Sequence, residues 1–429
     1  MRRHLSRRDF LKASGGLAAG GLLASGLPAF AQDGVTIRSH TRSGRQADAQ
    51  RHWAEIFNED MAGEANVVIE DFPGSEYFQK INTLAAGGTM GDVIWISSIE
   101  GYFRLAATGV LQPIDDVIES LGYDLDEHYP ATTSAARLNG QLYGIPILAH
   151  PGRVGLFFNK TIFDDAGVDY PDETWTMDDF LAAAIEVTDP DRRIWGFVDP
   201  EGSYFTSIVF IRAFGGDTLN ADGTESLLNS EESIAALKFQ SALYNEHKVA
   251  PVPGTALQGP YQLFAANQLA MFQSGFWGSG VAQFVEDPSI VGVAPMPIGP
   301  SGQRGSMFEF DPLCVTSFTE HPEESFKWVD YNTGFDAQLR VTKLHNVTAS
   351  RPAVMADEVV QESDTLRVFS GVMADALPLV LPANFRETEH FKFIGDQIQA
   401  LWLGLASVDD IIEDLNSGAQ AILDKPALG

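Results

Sequence analysis

Two pairs of carboxylates in this sequence have a spacing that could support chemistry. Glu309 and Asp311 lie two residues apart, and so do Asp199 and Glu201. An acid and a carboxylate that flank a glycosidic bond can hydrolyse it, so either pair could belong to a glycosidase. In a chain of 429 residues with 58 acidic side chains, such pairs are also expected by chance. The enzyme hypothesis therefore needs a second motif.

That second motif is missing. Beyond residue 31 the sequence contains no GxSxG, HExxH, Walker loop or GxGxxG. The nine histidines are scattered and no tyrosine pair stands out, which argues against a zinc or iron site. The only cysteine, Cys314, is predicted to be a buried core residue of a strand and cannot form an internal disulfide. We expect no enzymatic activity, no cofactor and no metal.

The charge excludes further classes of protein. The formal net charge is −30, and removal of the first 31 residues, with five basic residues and one acid, lowers it to −34. Such a charge opposes binding to nucleic acid or to anionic lipid. The acids are scattered and match no calcium-loop spacing, so they indicate a solvated surface.

The N-terminus has the pattern of an export signal. Ser6-Arg7-Arg8-Asp9-Phe10-Leu11-Lys12 is a twin-arginine motif, and Ala29-Phe30-Ala31 is a small-x-small cleavage site. The apolar stretch between them is rich in glycine and shorter than the roughly 20 residues of a membrane span. We therefore predict a signal peptide over residues 1–31, the twin-arginine translocase as a partner during export, and a periplasmic, soluble product. A lipid anchor is not expected, because Cys314 lies far downstream.

The remaining chain alternates strands and helices. Strand patterns at residues 35–39, 66–71 and 92–96 are separated by helix patterns at 46–61 and 77–86, which is typical of βαβ units with a parallel sheet. A second α/β region begins near residue 151. Its predicted strands are residues 155–159, 195–198, 270–272 and 291–295, and its predicted helices are 161–166, 180–188, 206–214, 230–245 and 260–266. Further helices are predicted at 322–333 and 408–423.

Several segments resemble a known family. Tyr143-Gly144-Ile145-Pro146 is followed by Leu156-Phe157-Phe158-Asn159-Lys160, and Gln268-Leu269-Ala270-Met271-Phe272 is followed by Gly275-Phe276-Trp277. Together, and in this order, they resemble the extracellular solute-binding proteins of family 1. These are the carbohydrate-binding, maltose-binding-protein-like subunits of ABC importers.

The resemblance implies an α/β, two-lobed periplasmic binding protein fold of type II-like topology. A ligand cleft would lie between the lobes, and a three-segment hinge would join them. Breaks rich in proline and glycine fit the three crossings at residues 146–152, 295–305 and 350–352. The expected lobes are residues 33–147 with 299–350 and residues 151–294 with 352–429.

The resemblance also implies aromatic residues that stack on a sugar. Trp277 lies between Gly275 and Gly278, which we expect to let a ligand approach, and Tyr204 follows the strand at residues 195–198. Either ring could instead belong to the core.

Polar ligand contacts are expected on loops at the carboxyl ends of strands. Glu100 could alternatively cap the following helix, and Arg153 and Arg351 could instead form ion pairs between the lobes. Where many relatives carry a glycine pair, this chain has Phe310 and Asp311 near the expected cleft mouth. The polar and hinge candidates are His40, Arg42, Ser97, Ser98, Glu100, Arg153, Phe310, Asp311 and Arg351.

The expected partners follow from the same resemblance. The ligand would be a small carbohydrate or polyol, and the closed protein, a monomer, would dock on the transmembrane subunits of an ABC permease. The identity of the sugar stays open, and three candidate arginines leave an anionic ligand open as well.

Overall fold

A computed structural model describes residues 34–199, 203–254 and 259–428. The predicted signal peptide, residues 1–31, and Glu201 lie outside these ranges. Among the helices of the described residues, none has the length and apolar character needed to cross a membrane.

The described residues form strands, α-helices and short 3-10 helices. The strands are β1 (Val35–Arg42), β2 (Ala65–Phe72), β3 (Val93–Trp95), β4 (Arg137–Leu138), β5 (Gln141–Leu142), β6 (Ile145–His150), β7 (Gly155–Asn159), β8 (Trp195–Val198), β9 (Leu269–Ser274), β10 (Val291–Pro295) and β11 (Glu309–Val315). The α-helices are α1 (Arg45–Asp60), α2 (Tyr77–Ala86), α3 (Tyr102–Ala107), α4 (Asp115–Leu121), α5 (Pro130–Ala135), α6 (Lys160–Ala166), α7 (Met177–Glu186), α8 (Ser203–Ala213), α9 (Glu231–Asn245), α10 (Pro260–Ala265), α11 (Pro322–Thr333), α12 (Phe335–His345), α13 (Pro352–Met355), α14 (Glu358–Gln361), α15 (Asp364–Met373), α16 (Glu387–Trp402) and α17 (Val408–Leu423). The 3-10 helices are Leu125–Glu127, Phe276–Gln283 and Pro288–Ile290.

The first sheet has the strand order β2-β1-β3-β11-β6. Strand β1 pairs in parallel with β2 and with β3, while β11 runs antiparallel to β3 and to β6. The three residues of β3 are all buried, as expected for an apolar run covered on both faces of a sheet. The parallel βαβ prediction for this region is confirmed.

The second sheet has the order β10-β7-β9-β8. Strand β7 is antiparallel to β10 and β9, and β8 is parallel to β9. All five residues of β7 and all six of β9 are buried, because helices pack on this sheet.

Boundaries predicted from periodicity agree closely where the pattern is strong. The helix predicted at residues 46–61 spans Arg45–Asp60, and the strand predicted at 66–71 spans Ala65–Phe72. Helices α12, α15 and α16 were not predicted. Helix α12 begins directly after α11 at Gly334, which serves as the end of one helix and the start of the next.

Two chain segments connect the sheets directly. Strand β6 leads into β7 through residues 151–154, and β10 leads into β11 through residues 296–308. Gly152 has a φ of +83°, and a Cβ there would lie 2.1 Å from Met307 Cγ, so the two crossings touch at a position that requires glycine. A third segment passes beside β6, where the Ser350 hydroxyl donates to the Pro146 carbonyl at 2.5 Å. These three places overlap the predicted breaks at residues 146–152, 295–305 and 350–352.

Each sheet has its own hydrophobic core. Phe163, Phe180 and Phe210 lie in the larger cluster, on the second sheet, while Trp95 and Trp328 lie in the cluster on the first. Cys314 is fully buried in β11, and burial raises the pKa of its thiol well above the ordinary value. The prediction that Cys314 is a core residue is confirmed.

Candidate functional site

A cavity of about 490 Å³ is lined by strand residues of the first sheet and by Phe276 and Trp277 of the 3-10 helix that follows β9 of the second sheet. The parallel strands β1 and β3 end at Arg42 and just before Ser97, and both residues line it. Strand β11 is antiparallel to β3, so its first residues, Glu309 and Asp311, reach the same edge of the sheet. Polar groups therefore collect where the carboxyl ends of parallel strands meet, the usual position of a ligand site in α/β proteins.

Arg42 and Glu100 form an ion pair in the cavity wall. Arg42 Nη2 lies 2.6 Å from Glu100 Oε2, and its guanidinium carbon lies 4.7 Å from the centroid of the Trp95 ring. Helix α3 has Gly101 at its N-cap and receives no side-chain cap, so the alternative that Glu100 caps this helix is wrong. The pair fixes the loops that follow β1 and β3 relative to each other.

Arg153, in the first crossing, lies beside the buried carboxylate of Glu309. Its Nη1 is 3.3 Å from Glu309 Oε1, and its guanidinium carbon lies 4.5 Å from the Phe205 ring and 5.3 Å from the Trp277 ring. His150 Nε2 lies 4.0 Å from Glu309 Oε2, and burial lowers the pKa of His150 to about 3, so this imidazole is neutral at physiological pH. The ion pair expected as an alternative role of Arg153 is present, with Glu309 as its partner.

Asp311 is a buried carboxyl in the cavity lining. Burial, together with the nearby Glu309 carboxylate, raises its pKa to about 8, and a hydrogen bond with Ser97 opposes this shift. Side chains alternate along a strand, so the preceding Phe310 points the other way. Phe310 packs in the core, where its ring centroid lies 5.6 Å from that of Tyr102, and it does not line the cavity.

Trp277 is half-buried in the cavity wall, on the 3-10 helix that follows β9. Its ring lies edge-on to His150, with the centroids 5.6 Å apart. The expectation that its flanking glycines admit a ligand is wrong. A Cβ at Gly275 would lie 2.2 Å from the Trp277 ring itself, and one at Gly278 would lie 2.4 Å from the Phe157 ring. Both glycines make room for the protein's own side chains.

Tyr204 and Ser98 do not line the cavity. The Tyr204 ring stacks on Phe391 of α16 with centroids 4.4 Å apart, and its hydroxyl lies 3.1 Å from Thr218 Oγ1. Tyr204 is therefore a core residue. The hydroxyl of Ser98 accepts a hydrogen bond from the backbone N–H of Phe310, and this contact attaches the loop after β3 to β11.

His40 and Arg351 also lie outside the lining. His40 Nε2 accepts the backbone N–H of Gly91 at 2.7 Å, Nδ1 lies 3.2 Å from Glu70 Oε2, and burial lowers the pKa of the imidazole to about 4. Arg351 pairs with Glu127 and donates from Nε to the Thr333 carbonyl at 2.5 Å. Both side chains are engaged in structural contacts.

Several lining residues were not expected from the sequence. Trp95 was expected only as part of the strand at residues 92–96, and Glu309 only as a member of a carboxylate pair that is also expected by chance. Helix α12 was not predicted. An alternation pattern carried through β11 would have placed Glu309 on the same face as Asp311. The missed lining residues include Gln50, Trp95, His150, Phe276, Glu309, Gln338, Thr342 and His345.

The family assignment rests on a model for bacterial extracellular solute-binding proteins that matches residues 41–338. This match covers well over half of the chain. The chain belongs to this family. A model for the twin-arginine translocation signal sequence matches residues 4–24 and confirms the predicted export signal of this solute-binding protein.

Curated relatives of this solute-binding protein are binding proteins by name. A putative binding protein of Brucella abortus is 24% identical over 83% of this chain and 85% of its own length. An arabinooligosaccharide-binding protein of Halalkalibacterium halodurans is 27% identical over 52% of this chain and 49% of its own length. An erythritol/L-threitol-binding protein of Mycolicibacterium smegmatis is 24% identical over 72% of this chain and 69% of its own length.

Solved structures share the two-lobed fold. An ABC substrate-binding protein of Listeria monocytogenes in complex with cycloalternan has a TM-score of 0.78 at 21% identity, covering 90% of this chain and 98% of its own. The sugar-binding protein MalE of Xanthomonas citri has a TM-score of 0.79 at 18% identity, covering 91% of this chain and 97% of its own. The predicted fold class is thereby confirmed.

Proposed function

We propose that this protein is the periplasmic substrate-binding subunit of an ABC importer and that it captures a carbohydrate or polyol between its two lobes. The observation that carries the proposal is the cavity lined by strands of the first sheet and by the 3-10 helix that follows β9 of the second sheet. Trp95, Phe276 and Trp277 offer apolar faces there, and Arg42, Glu100 and Asp311 offer charged or hydrogen-bonding edges. A sugar presents C–H faces and hydroxyl edges, and this combination complements both.

The lobes in this proposal are residues 33–147 with 299–350 and residues 151–294 with 352–429. Ligand contacts to both lobes would favour the closed form, which would then dock on the transmembrane subunits of the permease. The named ligands of the relatives, an arabinooligosaccharide and the tetritols erythritol and L-threitol, support the carbohydrate and polyol classes. The residues that we propose as ligand contacts are Arg42, Ser97, Glu100, Arg153, Trp277 and Asp311.

The hydrolase alternative is less well supported by the same geometry. Glu309 and Asp311 project from one face of one strand, whereas glycoside hydrolysis needs two carboxyl groups that flank the scissile bond. Glu309 is also paired with Arg153. Turnover of glycosides by the purified protein that Glu309→Gln abolishes would favour the enzyme over the binding protein.

The binding proposal is tested by thermal-shift screening and calorimetry of the mature protein against arabinose oligosaccharides, maltose, erythritol and L-threitol. We expect at least one probe to raise the melting temperature and to reduce the radius of gyration in small-angle X-ray scattering, because ligand binding closes the lobes. Absence of any carbohydrate or polyol ligand from a broad screen would contradict the proposal.

A further inference from the structure

One wall of the cavity is apolar and is formed by a single hydrophobic cluster. Six lining residues belong to this cluster or pack against it, and four of the six are aliphatic. They come from β6, from α12 and the segment after it, and from the 3-10 helix that follows β9. The residues of this apolar wall are Ile147, Leu148, Phe276, Trp277, Val341 and Val347.

The apolar wall lies beside the charged part of the cavity, at the edge strand of the first sheet. Strand β6 is next to β11 in the strand order, and Leu148 is directly opposite Asp311. Leu148 also forms a bridge with Ala349, which brings the segment that contains Val347 against β6. The paired charges on the loops after β1 and β3 lie on the other side of β11. A ligand that contacts both parts must itself have a polar end and an apolar end.

Two amide side chains of the cavity lining already have partners within the protein. Gln338 Nε2 donates to Ser350 Oγ at 2.7 Å, and its Oε1 accepts the backbone N–H groups of Ser350 and Arg351 at 3.1 and 3.2 Å. Gln50 Nε2 donates to Thr41 Oγ1 at 3.2 Å. Sugar hydroxyls that lay against the aliphatic side chains of the apolar wall would lose water without gaining equivalent hydrogen bonds.

The volume of the cavity leaves room for a ligand with two parts. About 490 Å³ lies within the range of about 300–1,000 Å³ that is typical of pockets for drug-sized ligands. A tetritol or a single sugar ring is smaller than such ligands. When it occupies the charged part of the cavity, it leaves the apolar wall uncovered.

We propose that the ligand is a glycoside, a sugar joined to an apolar aglycone, and that the apolar wall is the subsite for the aglycone. The sugar would contact the charged part of the cavity, and the aglycone would cover the aliphatic side chains and the rings of Phe276 and Trp277. This inference rests on the proposed carbohydrate-binding function and deepens it, because it names the class of substrate. Aryl and alkyl aglycones share the apolar surface that this wall requires.

The experiment measures affinities of the mature protein for matched glycosides by titration calorimetry. Each set contains the methyl, n-butyl and phenyl glycosides of one sugar in one anomeric form, and the sugars are glucose, galactose, xylose and arabinose. In each set that binds, we expect the butyl or the phenyl member to bind at least about tenfold more tightly than the methyl member, because it removes more apolar surface from water. Its heat-capacity change on binding should also be more negative. The larger gain, for butyl or for phenyl, shows whether the aglycone is alkyl or aryl.

The variant Val341→Thr keeps the shape of the side chain and replaces a methyl group of the apolar wall by a hydroxyl. We expect it to reduce the advantage of the butyl or phenyl member over the methyl member by about threefold or more. Val368→Thr is the matched control. Val368 is a half-buried valine of α15 that packs against the same cluster but does not line the cavity, so the advantage should stay unchanged. Circular dichroism checks that both variants are folded.

The outcomes separate this inference from the proposed function. If the methyl glycoside binds as tightly as the butyl and phenyl members, or if only free sugars or polyols bind, the aglycone subsite is wrong and carbohydrate binding stands. An advantage that Val341→Thr leaves unchanged, or that Val368→Thr lowers equally, likewise overturns the role of the apolar wall. If free sugars, polyols and glycosides all fail to bind, the carbohydrate proposal fails, and this inference fails with it.

Discussion

The guanidinium of Arg153 lies 3.3 Å from the carboxylate of Glu309, and the contact joins the first crossing to the start of β11. Both side chains are largely buried, with exposed fractions of 12% and 4%. The Phe205 ring, 4.5 Å from the guanidinium carbon, covers the pair from helix α8. A strand of the first sheet and a helix of the second-sheet core thus meet at this one arginine.

Breaking this buried pair should destabilise the protein strongly. Arg153→Met leaves the Glu309 carboxylate buried beside a neutral side chain, and we expect a loss of about 3–5 kcal/mol in the free energy of unfolding. Urea denaturation monitored by circular dichroism measures it. Arg192→Met is the control, because its partner Asp165 and Arg192 itself are more than half exposed, and it should cost at most about 1 kcal/mol. Equal losses for the two variants would contradict this assignment.

The buried carboxyl of Asp311 predicts a pH dependence of stability. Its pKa is raised from 3.8 to about 8, so between these values the unfolded chain has released a proton that the folded protein retains. The contribution of Asp311 to stability is therefore fully present below about pH 4, decreases as the pH rises, and is lost above about pH 8.

Asp311→Asn should remove this decrease. Melting temperatures of wild type and variant, measured from pH 4 to 9, should differ progressively, with the variant gaining relative to the wild type as the pH rises. Asp414→Asn should run parallel to the wild type, because Asp414 is exposed on α17. A constant difference between wild type and Asp311→Asn across this range would show that Asp311 titrates normally.

Gly152 should be intolerant of a side chain. Gly152→Ala places an L-residue at a φ of +83° and brings its Cβ 2.1 Å from Met307 Cγ. Gly140 has the same φ of +83°, with nothing within 4 Å of the added Cβ. Gly140→Ala therefore measures the backbone strain alone, about 1–2 kcal/mol, and Gly152→Ala should cost about 1–3 kcal/mol more. Chemical denaturation of both variants gives the difference, and equal costs would mean that the two crossings do not pack as described.

Trp277→Ala should weaken ligand binding without unfolding the protein. The ring contributes an apolar face to the cavity, so we expect the affinity for the best-binding carbohydrate to fall about tenfold or more. Calorimetry measures the affinity and circular dichroism the fold. Trp175→Ala removes a partly buried tryptophan of the second-sheet core that does not line the cavity, and should leave the affinity unchanged. An unaltered affinity in Trp277→Ala would exclude this ring as a ligand platform.

Local patterns predicted much of the fold. The apolar run at residues 92–96 indicated a strand covered on both faces, and β3 is buried throughout. The proline- and glycine-rich breaks indicated the crossings, because these residues interrupt regular structure. Polar and apolar residues are interspersed in helix α12, so its sequence did not indicate a helix clearly. The lining residues Gln338, Thr342 and His345, which lie on this helix, were therefore not predicted.

Tyr204 and Trp277 illustrate what local patterns leave undecided. Each is an aromatic residue after a strand of the second sheet, and the sequence alone predicts the same sugar-stacking role for both. Phe391, from a helix far along the chain, packs at 4.4 Å on Tyr204 and takes it into the core, whereas Trp277 remains in the cavity wall. Phe310 and Asp311 likewise have different environments, because side chains alternate along β11. Phe310 packs in the core and Asp311 lines the cavity, and pairing with β3 and β6 sets the register of the strand.

The sequence by itself determined the export signal, the alternation of strands and helices, and the family. It also showed that the chain beyond the signal peptide has no recognised catalytic motif. All of these depend on patterns of residues that are close together in the sequence. Only the tertiary structure decided which polar and aromatic side chains face the cavity. That choice depends on contacts between residues distant in sequence, such as Arg153 with Glu309 and Tyr204 with Phe391, and on which buried polar groups find partners. Asp311 Oδ1, for example, is buried in the cavity wall and has no hydrogen-bond partner among the described residues.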